Sequence, residues 1–205
     1  MCIRDRSRMV TIRKYNPRED EQSWVRCRVL SLLDTPCYDQ VLRHKQSYQN
    51  PSIELVAVSQ GTVIGILDLE LDGDKKVICY RTGTKGAIIR NLMVLPEFRQ
   101  KGVAAHLMEY AFSLLREEGV GHLEIWVRED DEIKSWLLKN QFMKTYSYLH
   151  FYAEEEECKA LVNHPILDCF VKGVYGEYTG RCPDEIRQHF KRVYESALYE
   201  RHFDP

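Results

Sequence analysis

The chain has 205 residues, of which 44% are hydrophobic and 29% are charged, and its formal net charge is −2. This composition fits a globular domain with a sizeable core and some additional structure, whereas the near-neutral charge gives no basis for a nucleic-acid partner. No apolar run approaches the length of a membrane span and no signal peptide is recognisable, so we expect no membrane association.

The seven cysteines follow no regular spacing, and the sequence has neither a Cys-x-x-Cys pair nor a His pair at metal-ligand spacing. We therefore expect no bound metal. An odd number of cysteines within apolar stretches is typical of free thiols in a reducing compartment, which predicts a cytoplasmic protein.

The first eight residues fit neither a strand nor a helix pattern. Their start, Met1–Arg6, resembles the translation of a sequencing-library adapter, so we interpret residues 1–8 as a non-native segment and Met9 as the native start. A natural basic tail is the alternative interpretation.

Strands and helices then follow in close succession. Strands are predicted at Val10–Tyr15, Ile53–Val58 and Thr62–Leu71, and helices at Glu19–Leu33 and Tyr38–Gln49. Gln60-Gly61 between two apolar runs is a hairpin signal. Asp68 and Glu70 lie on one face of the third strand, where they either hold a cationic substrate or form its solvated end.

The next strand, Ile88–Val94, leads through a basic loop into a helix that spans residues 103–118. Gly102 in this loop lacks a Cβ atom, so an anionic group can approach the backbone closely. The first amides of the helix have no internal partners, and the helix dipole adds positive potential there. Strand, basic loop and helix N-terminus together predict a diphosphate-binding site.

The remaining elements extend the pattern towards the C-terminus. Strands are predicted at residues 122–127 and 142–152, with a helix at Asp130–Asn140 between them. Glu154–Glu157 opens a helix that Pro165 ends, and Pro183 opens a terminal helix with one apolar face: Ile186, Phe190, Val193 and Ala197. This helical, aromatic-rich extension, residues 154–205, either packs on the domain or forms an interface such as that of a homodimer.

The loop and its flanking elements resemble the GNAT superfamily of N-acetyltransferases. The family pattern Arg/Gln-x-x-Gly-x-Gly/Ala is matched by Arg99-Gln100-Lys101-Gly102-Val103-Ala104, and the predicted elements of residues 9–153 follow the order of the GNAT fold, a mixed β-sheet flanked by helices. Motifs of nucleoside-triphosphate and dinucleotide loops are missing, which argues against a nucleotide-binding module.

The resemblance implies acetyl-CoA as co-substrate, with its pyrophosphate on the loop amides and its pantetheine arm along the preceding strand. The cofactor-binding residues that it implies are Leu92, Met93, Val94, Arg99, Gln100, Lys101, Gly102, Val103, Ala104 and Ala105. In the family, the segment between the first two helices lines the acceptor pocket. In this chain that segment contains Asp34, Tyr38 and Asp39.

The groups that usually transfer protons in the family are missing at their matched positions. Leu137 stands where many members have a tyrosine, and Ile88 stands where some have a glutamate base. The catalytic residues are therefore unassigned. Proximity and orientation alone could carry much of the reaction, since the thiol of coenzyme A has a pKa of about 8.5.

Other side chains are open alternatives for proton transfer. Tyr146, Tyr148 or Ser135 could supply a proton, and Glu124 could act as a base through water unless it is only a solvated strand residue. The sequence thus predicts an N-acyltransferase that moves an acetyl group from acetyl-CoA to a primary amine of a small molecule or peptide, by direct attack in a ternary complex. The alternative is a non-catalytic acyl-CoA-binding or regulatory module.

Overall fold

The computed structural model describes residues 10–162, 168 and 170–203. The interpretation of residues 1–8, and that of Pro165 as a helix end, lie outside these residues. No helix in the described part is long and apolar enough to span a membrane. Its five cysteines, Cys27, Cys37, Cys79, Cys158 and Cys182, are free thiols.

The fold is the mixed α/β arrangement that the sequence predicts, with eight strands and four α-helices in the described residues. The strands are β1 (Val10–Lys14), β2 (Ser52–Ser59), β3 (Thr62–Leu71), β4 (Gly86–Val94), β5 (His122–Arg128), β6 (Met143–Glu154), β7 (Gly173–Tyr178) and β8 (Arg192–His202). The helices are α1 (Pro17–Leu32), α2 (Val103–Glu117), α3 (Asp131–Lys139) and α4 (Pro183–His189), and 3₁₀ helices occupy Pro96–Phe98 and Glu155–Ala160.

The chain divides into two compact units, whose boundaries fall inside β5 and inside β8. The first unit runs to Ile125 and resumes at Glu200, and the second consists of Trp126–Tyr199. In the first unit the strand order is β1-β2-β3-β4-β5; the first four strands are antiparallel, and β4 and β5 are parallel. In the second unit the order is β8-β6-β7.

Helices α1 and α2 pack against the sheet of the first unit. Asn16 caps α1 by accepting a hydrogen bond from the Arg18 amide. Trp24 and Cys27 of this helix are completely buried. Helix α2 approaches β3 closely because residue 65 is glycine; a Cβ atom at Gly65 would lie 2.9 Å from Val103 Cγ1. Both faces of β3 are buried from Val63 onward, which explains its high apolar content and means that its two carboxylates, Asp68 and Glu70, are buried as well.

The second unit has its own apolar cluster. Phe151, Ala153, Cys158 and Phe190 are buried together, and the rings of Phe151 and Phe190 stack with their centroids 4.5 Å apart. Gly176 of β7 makes room for this arrangement, since a Cβ atom there would lie 2.3 Å from Phe151. Phe151, Phe190 and the partly buried Tyr178 therefore belong to a packed core, whereas Phe170 and Tyr175 are exposed.

The helix predicted at Tyr38–Gln49 is wrong, because residues 38–51 are irregular. Side chains of α1 take backbone groups that a helix would need. Glu21 accepts a hydrogen bond from the Lys45 amide at 2.8 Å, and Arg28 donates to the Gln40 carbonyl. Tertiary contacts thus override the local helical pattern.

The helical C-terminal extension is also not confirmed. Helix α4 lasts only seven residues, and Val193 and Ala197, which were expected on its face, lie in strand β8. Residues 196–200 are all buried, so this strand lacks the alternation that would identify it. The helix expected from Glu154 is a short 3₁₀ helix instead.

Candidate functional site

The loop between β4 and α2 presents backbone amides at its turn into the helix. Gln100 (φ 58°) and Gly102 (φ 80°) both adopt left-handed backbone conformations, and Gly102 is the N-terminal cap of α2. The amides of residues 103–105 precede the first intrahelical hydrogen bond, from the His106 amide to the Gly102 carbonyl at 3.0 Å. Such alternation of backbone conformations at a helix start forms a concave anion-binding site.

Basic side chains are fixed beside this loop by backbone carbonyls. The Arg99 guanidinium donates to the Ser31 carbonyl at 2.8 Å and to the Val94 carbonyl at 3.3 Å. Lys101 Nζ donates to the Glu97 carbonyl at 2.7 Å. These bonds hold two positive charges next to the free amides without neutralising either charge.

Space above Gly102 is open. Gln100, Lys101 and Gly102 are all exposed at the turn, and a Cβ atom at Gly102 would meet only the His106 ring, at 3.7 Å. A phosphate group can therefore reach the amides from solvent.

Strand β4 offers a backbone edge next to the same loop. Its parallel ladder with β5 covers Gly86–Ile89 and His122–Ile125, so residues 91–94 lie beyond the ladder. On the other side the register with β3 skips Arg90, which forms a β-bulge. Leu92, Met93 and Val94 are partly exposed. Bulges of this kind commonly occur next to active sites, where they redirect backbone groups.

The Asp68 carboxylate is not a free anionic site. It is completely buried, accepts hydrogen bonds from Tyr48 Oη at 2.9 Å and Asn91 Nδ2 at 3.0 Å, and pairs with Lys45 Nζ at 3.0 Å. Burial raises the pKa of Asp68, and the neighbouring Lys45 opposes this shift. The positive charge that pairs with Asp68 is therefore that of Lys45, not that of a bound substrate.

The Lys45 side chain is also buried. Its Nζ pairs with Glu54 at 2.8 Å and lies about 5 Å from three aromatic rings: those of Tyr15, Trp24 and Tyr48. Glu70 is also buried and pairs with Arg90 at 2.8 Å. The interpretation of Asp68 and Glu70 as a solvated strand end is therefore wrong, and both already hold basic side chains.

Glu124 is buried as well, contrary to its interpretation as a solvated strand residue. Its carboxylate accepts hydrogen bonds from the amides of Tyr80 and Arg81, both at 2.8 Å. The alternation of β5 places Glu124 on one face of the strand, but no local signal shows that the β3–β4 loop covers this face. Asp34, Tyr38 and Asp39 lie on the exposed surface that follows α1.

The positions that lack the usual proton-transfer groups are apolar and buried. Ile88 is 4% exposed in the first unit, and Leu137 is fully buried in the second. In the second unit, Ser135 and Tyr146 are exposed. Burial and the neighbouring Glu177 raise the pKa of Tyr148 to about 12, so this hydroxyl holds its proton tightly.

The comparison with protein families gives one match. Residues 18–138 match the family model described as Acetyltransferase (GNAT) family. The matched segment contains β4, the amide-presenting loop and all of α2. No sequence among curated proteins matches the chain.

Several solved structures share the fold at low sequence identity. A GNAT-family acetyltransferase from Streptococcus pneumoniae has a TM-score of 0.59 and 14% identity, covering 95% of this chain and all of that chain. The PaiA N-acetyltransferase of Thermoplasma acidophilum, in complex with coenzyme A, has a TM-score of 0.54 and 12% identity, covering 95% and 99%. The ribosomal-protein-S18-alanine N-acetyltransferase of Escherichia coli has a TM-score of 0.52 and 11% identity, covering 96% of each chain.

Proposed function

The chain belongs to the GNAT family of acetyltransferases, and from this we propose that it transfers an acetyl group from acetyl-CoA to a primary amine. The observation that carries the proposal is the pairing of an open backbone edge on β4 with the free amides at the start of α2. The two features are adjacent in the chain, as the pantetheine arm and the pyrophosphate are adjacent in acetyl-CoA.

The pyrophosphate and the pantetheine arm of acetyl-CoA each have a matching feature in the first unit. The amides of residues 103–105, with the Gln100–Gly102 turn, would bind the pyrophosphate, and Lys101 would add positive charge. Leu92, Met93 and Val94 would pair with the pantetheine arm as an added strand would. This arrangement accounts for all of the predicted cofactor-binding residues except Arg99, which orients the loop through Ser31 and Val94.

The transfer requires a neutral amine that attacks the thioester carbon. A carbon–nitrogen bond forms, the carbon–sulfur bond breaks, and the nitrogen gives one proton to solvent water. Coenzyme A leaves as a thiolate whose conjugate thiol has a pKa of about 8.5. Because Ile88 and Leu137 are buried apolar residues, neither can move a proton. We propose that positioning in a ternary complex supplies most of the rate enhancement and that the thiolate leaves without a tyrosine acid.

A binding or regulatory module is the second candidate. The buried Leu137 and Ile88 favour it, because both usual proton-transfer groups are replaced by side chains without any titratable atom. The open amide loop supports both candidates equally, so binding of acetyl-CoA alone does not separate them.

Two measurements on the same protein separate the candidates. Calorimetry gives the affinity for acetyl-CoA, and a thiol-release assay with small amines, lysine-containing peptides and peptide N-termini gives turnover, with the amine-free reaction as the blank. Binding together with amine-dependent release and an acetylated product supports the enzyme. Binding without release across the panel supports the module, and absence of binding contradicts both.

A further inference from the structure

Three side chains that can ligate a metal converge in the first unit, apart from the amide loop. Cys79 lies in the loop between β3 and β4, and His122 and Glu124 lie on β5. Their potential ligand atoms all lie within 4.8 Å of one another. Cys79 is 7% exposed, and His122 and Glu124 are completely buried.

The imidazole of His122 is oriented with one nitrogen directed into this cluster. Its Nδ1 lies 3.0 Å from Thr84 Oγ1. Its Nε2 makes no hydrogen bond within the described part of the chain and lies 3.4 Å from Glu124 Oε1. If Nδ1 carries the proton and donates to Thr84, Nε2 directs a lone pair towards a carboxylate oxygen. Metal-binding histidines are commonly held in this way through their second nitrogen.

The Glu124 carboxylate can accept further hydrogen bonds or metal bonds, and within the described residues no Lys or Arg side chain pairs with it. Each of its oxygens accepts one backbone N–H, from Tyr80 or Arg81, so each keeps a second lone pair. Among the described residues, its one ion-pair partner is His122. A buried carboxylate is costly without a positive charge nearby, and a cation between His122 and Glu124 would supply it.

Gly86 provides the space that the cluster needs. A Cβ atom at this position would lie 2.5 Å from His122 Nε2 and 2.7 Å from Cys79 Sγ. The sulfur and the nitrogen therefore meet above a residue that has no side chain, at the first residue of β4.

We propose that Cys79 Sγ, His122 Nε2 and Glu124 Oε1 bind one zinc ion that fastens the β3–β4 loop to β5. Sulfur, imidazole nitrogen and carboxylate oxygen together form a donor set that suits Zn²⁺, and a water molecule completes the tetrahedron. Bond lengths of about 2.0–2.3 Å place ligand atoms roughly 3.3–3.8 Å apart, so small side-chain rotations close the site. The Cys79 thiol loses its proton to solvent as zinc binds.

The first test measures metal content and its effect on the full-length protein. After removal of metal with a chelator, zinc is titrated back and counted by elemental mass spectrometry. We expect one zinc per chain and a melting temperature raised by roughly 5–10 °C at 100-fold excess over the dissociation constant. Less than a tenth of an equivalent of zinc, or an unchanged melting temperature, would overturn the proposal.

The second test identifies the ligands by variants. Cobalt in place of zinc should give a thiolate-to-cobalt charge-transfer band, which Cys79→Ser should abolish and His122→Gln should weaken. Cys27→Ser is the matched control, because Cys27 is also a buried free thiol but lies in α1. A band that survives Cys79→Ser, or disappears in Cys27→Ser, would contradict the assignment.

X-ray absorption of the zinc-loaded wild-type protein does not depend on any variant folding. One sulfur ligand among nitrogen and oxygen ligands is expected, and a shell of several sulfurs or of oxygen alone would reject the site. These measurements are independent of acetyl-CoA, so failure of this proposal and failure of the proposed acetyl transfer are distinguishable.

Discussion

Two loops of the first unit use backbone N–H groups for opposite purposes. In the loop between β3 and β4, these groups are taken by the protein's own carboxylates. Asp72 accepts hydrogen bonds from the amides of Ile78, Cys79 and Gly86, and Glu124 accepts those of Tyr80 and Arg81. In the loop between β4 and α2, the amides of residues 103–105 have no capping side chain.

The difference shows how one kind of group can serve stability or binding. Internal carboxylates accept the amide hydrogen bonds of the β3–β4 loop and fix its conformation, so we call it the closed loop. The β4–α2 loop, whose amides have no such acceptor, is the open loop. The β4–α2 loop has glycine at the cap position, where Ser, Thr, Asp or Asn would supply an internal acceptor. We therefore expect substitutions in the closed loop to change the free energy of unfolding and those in the open loop to change affinity for acetyl-CoA.

The largest effect is expected for Asp72→Ala in the closed loop. Removal of this carboxylate leaves three amides without their acceptor, which should lower the free energy of unfolding by about 3 kcal/mol, measured by urea titration. Asp74→Ala removes an exposed carboxylate from the same loop and serves as the control. A loss below about 1 kcal/mol for Asp72→Ala would show that water replaces the carboxylate.

Gly102→Asp in the open loop should change the affinity for acetyl-CoA rather than the free energy of unfolding. The new carboxylate adds bulk and negative charge where the pyrophosphate is proposed to bind, so affinity for acetyl-CoA should fall at least about tenfold, or roughly 1.4 kcal/mol. Gly61→Asp is the matched control, because Gly61 has a similar φ of 76° and open surroundings but lies in the β2–β3 turn. Equal affinities of the two folded variants by calorimetry would argue against the loop as the cofactor site.

Acid should weaken the closed loop in a predictable direction. Burial raises the pKa of Asp72, but hydrogen bonds from the amides of Cys79, Ile78 and Gly86 outweigh it and hold the pKa below its usual value. The stabilisation is therefore present above the unfolded-state pKa of about 3.9 and is lost as pH falls through the folded-state pKa. The stability advantage of the wild type over Asp72→Asn should shrink between about pH 6 and pH 3. A constant difference across this range would show that Asp72 does not contribute through its charge.

The smallest effect is expected for Lys101→Ala. Loss of one exposed positive charge near the bound diphosphate should weaken acetyl-CoA binding about two- to fivefold, and added salt should reduce the difference. Lys75→Ala removes an exposed charge from the closed loop and should leave affinity unchanged. Equal effects of both variants would indicate a general influence of net charge on binding.

The open loop could be predicted from the sequence because its signals are local. Strand, proline turn, basic residues, Gly102 and the amphipathic helix follow one another within about thirty residues, and each can be recognised by its own pattern. The left-handed conformation of Gln100 could not be predicted, since glutamine gives no signal for it.

The closed loop and the buried polar groups could not be predicted, because their partners are distant in the chain. Glu124 meets Tyr80 and Arg81 across more than forty positions, and Lys45 meets Asp68 across more than twenty. The sequence alone therefore favours solvated positions for Asp68, Glu70 and Glu124. Cys79 likewise lies more than forty positions before His122 and Glu124, so the three residues lack the compact spacing by which metal ligands are usually found in a sequence.

Strand β8 has a consequence for how the protein is made. Residues 200–203 belong to the first unit, where Glu200 pairs with Arg81 and the ring of Phe203 lies 5.5 Å from that of Phe112. A ribosome must synthesise the 74 residues of Trp126–Tyr199 before these contacts can form, which takes roughly 4–15 s. During this interval the nascent first unit lacks its last strand segment, and its exposed surface is open to chaperones.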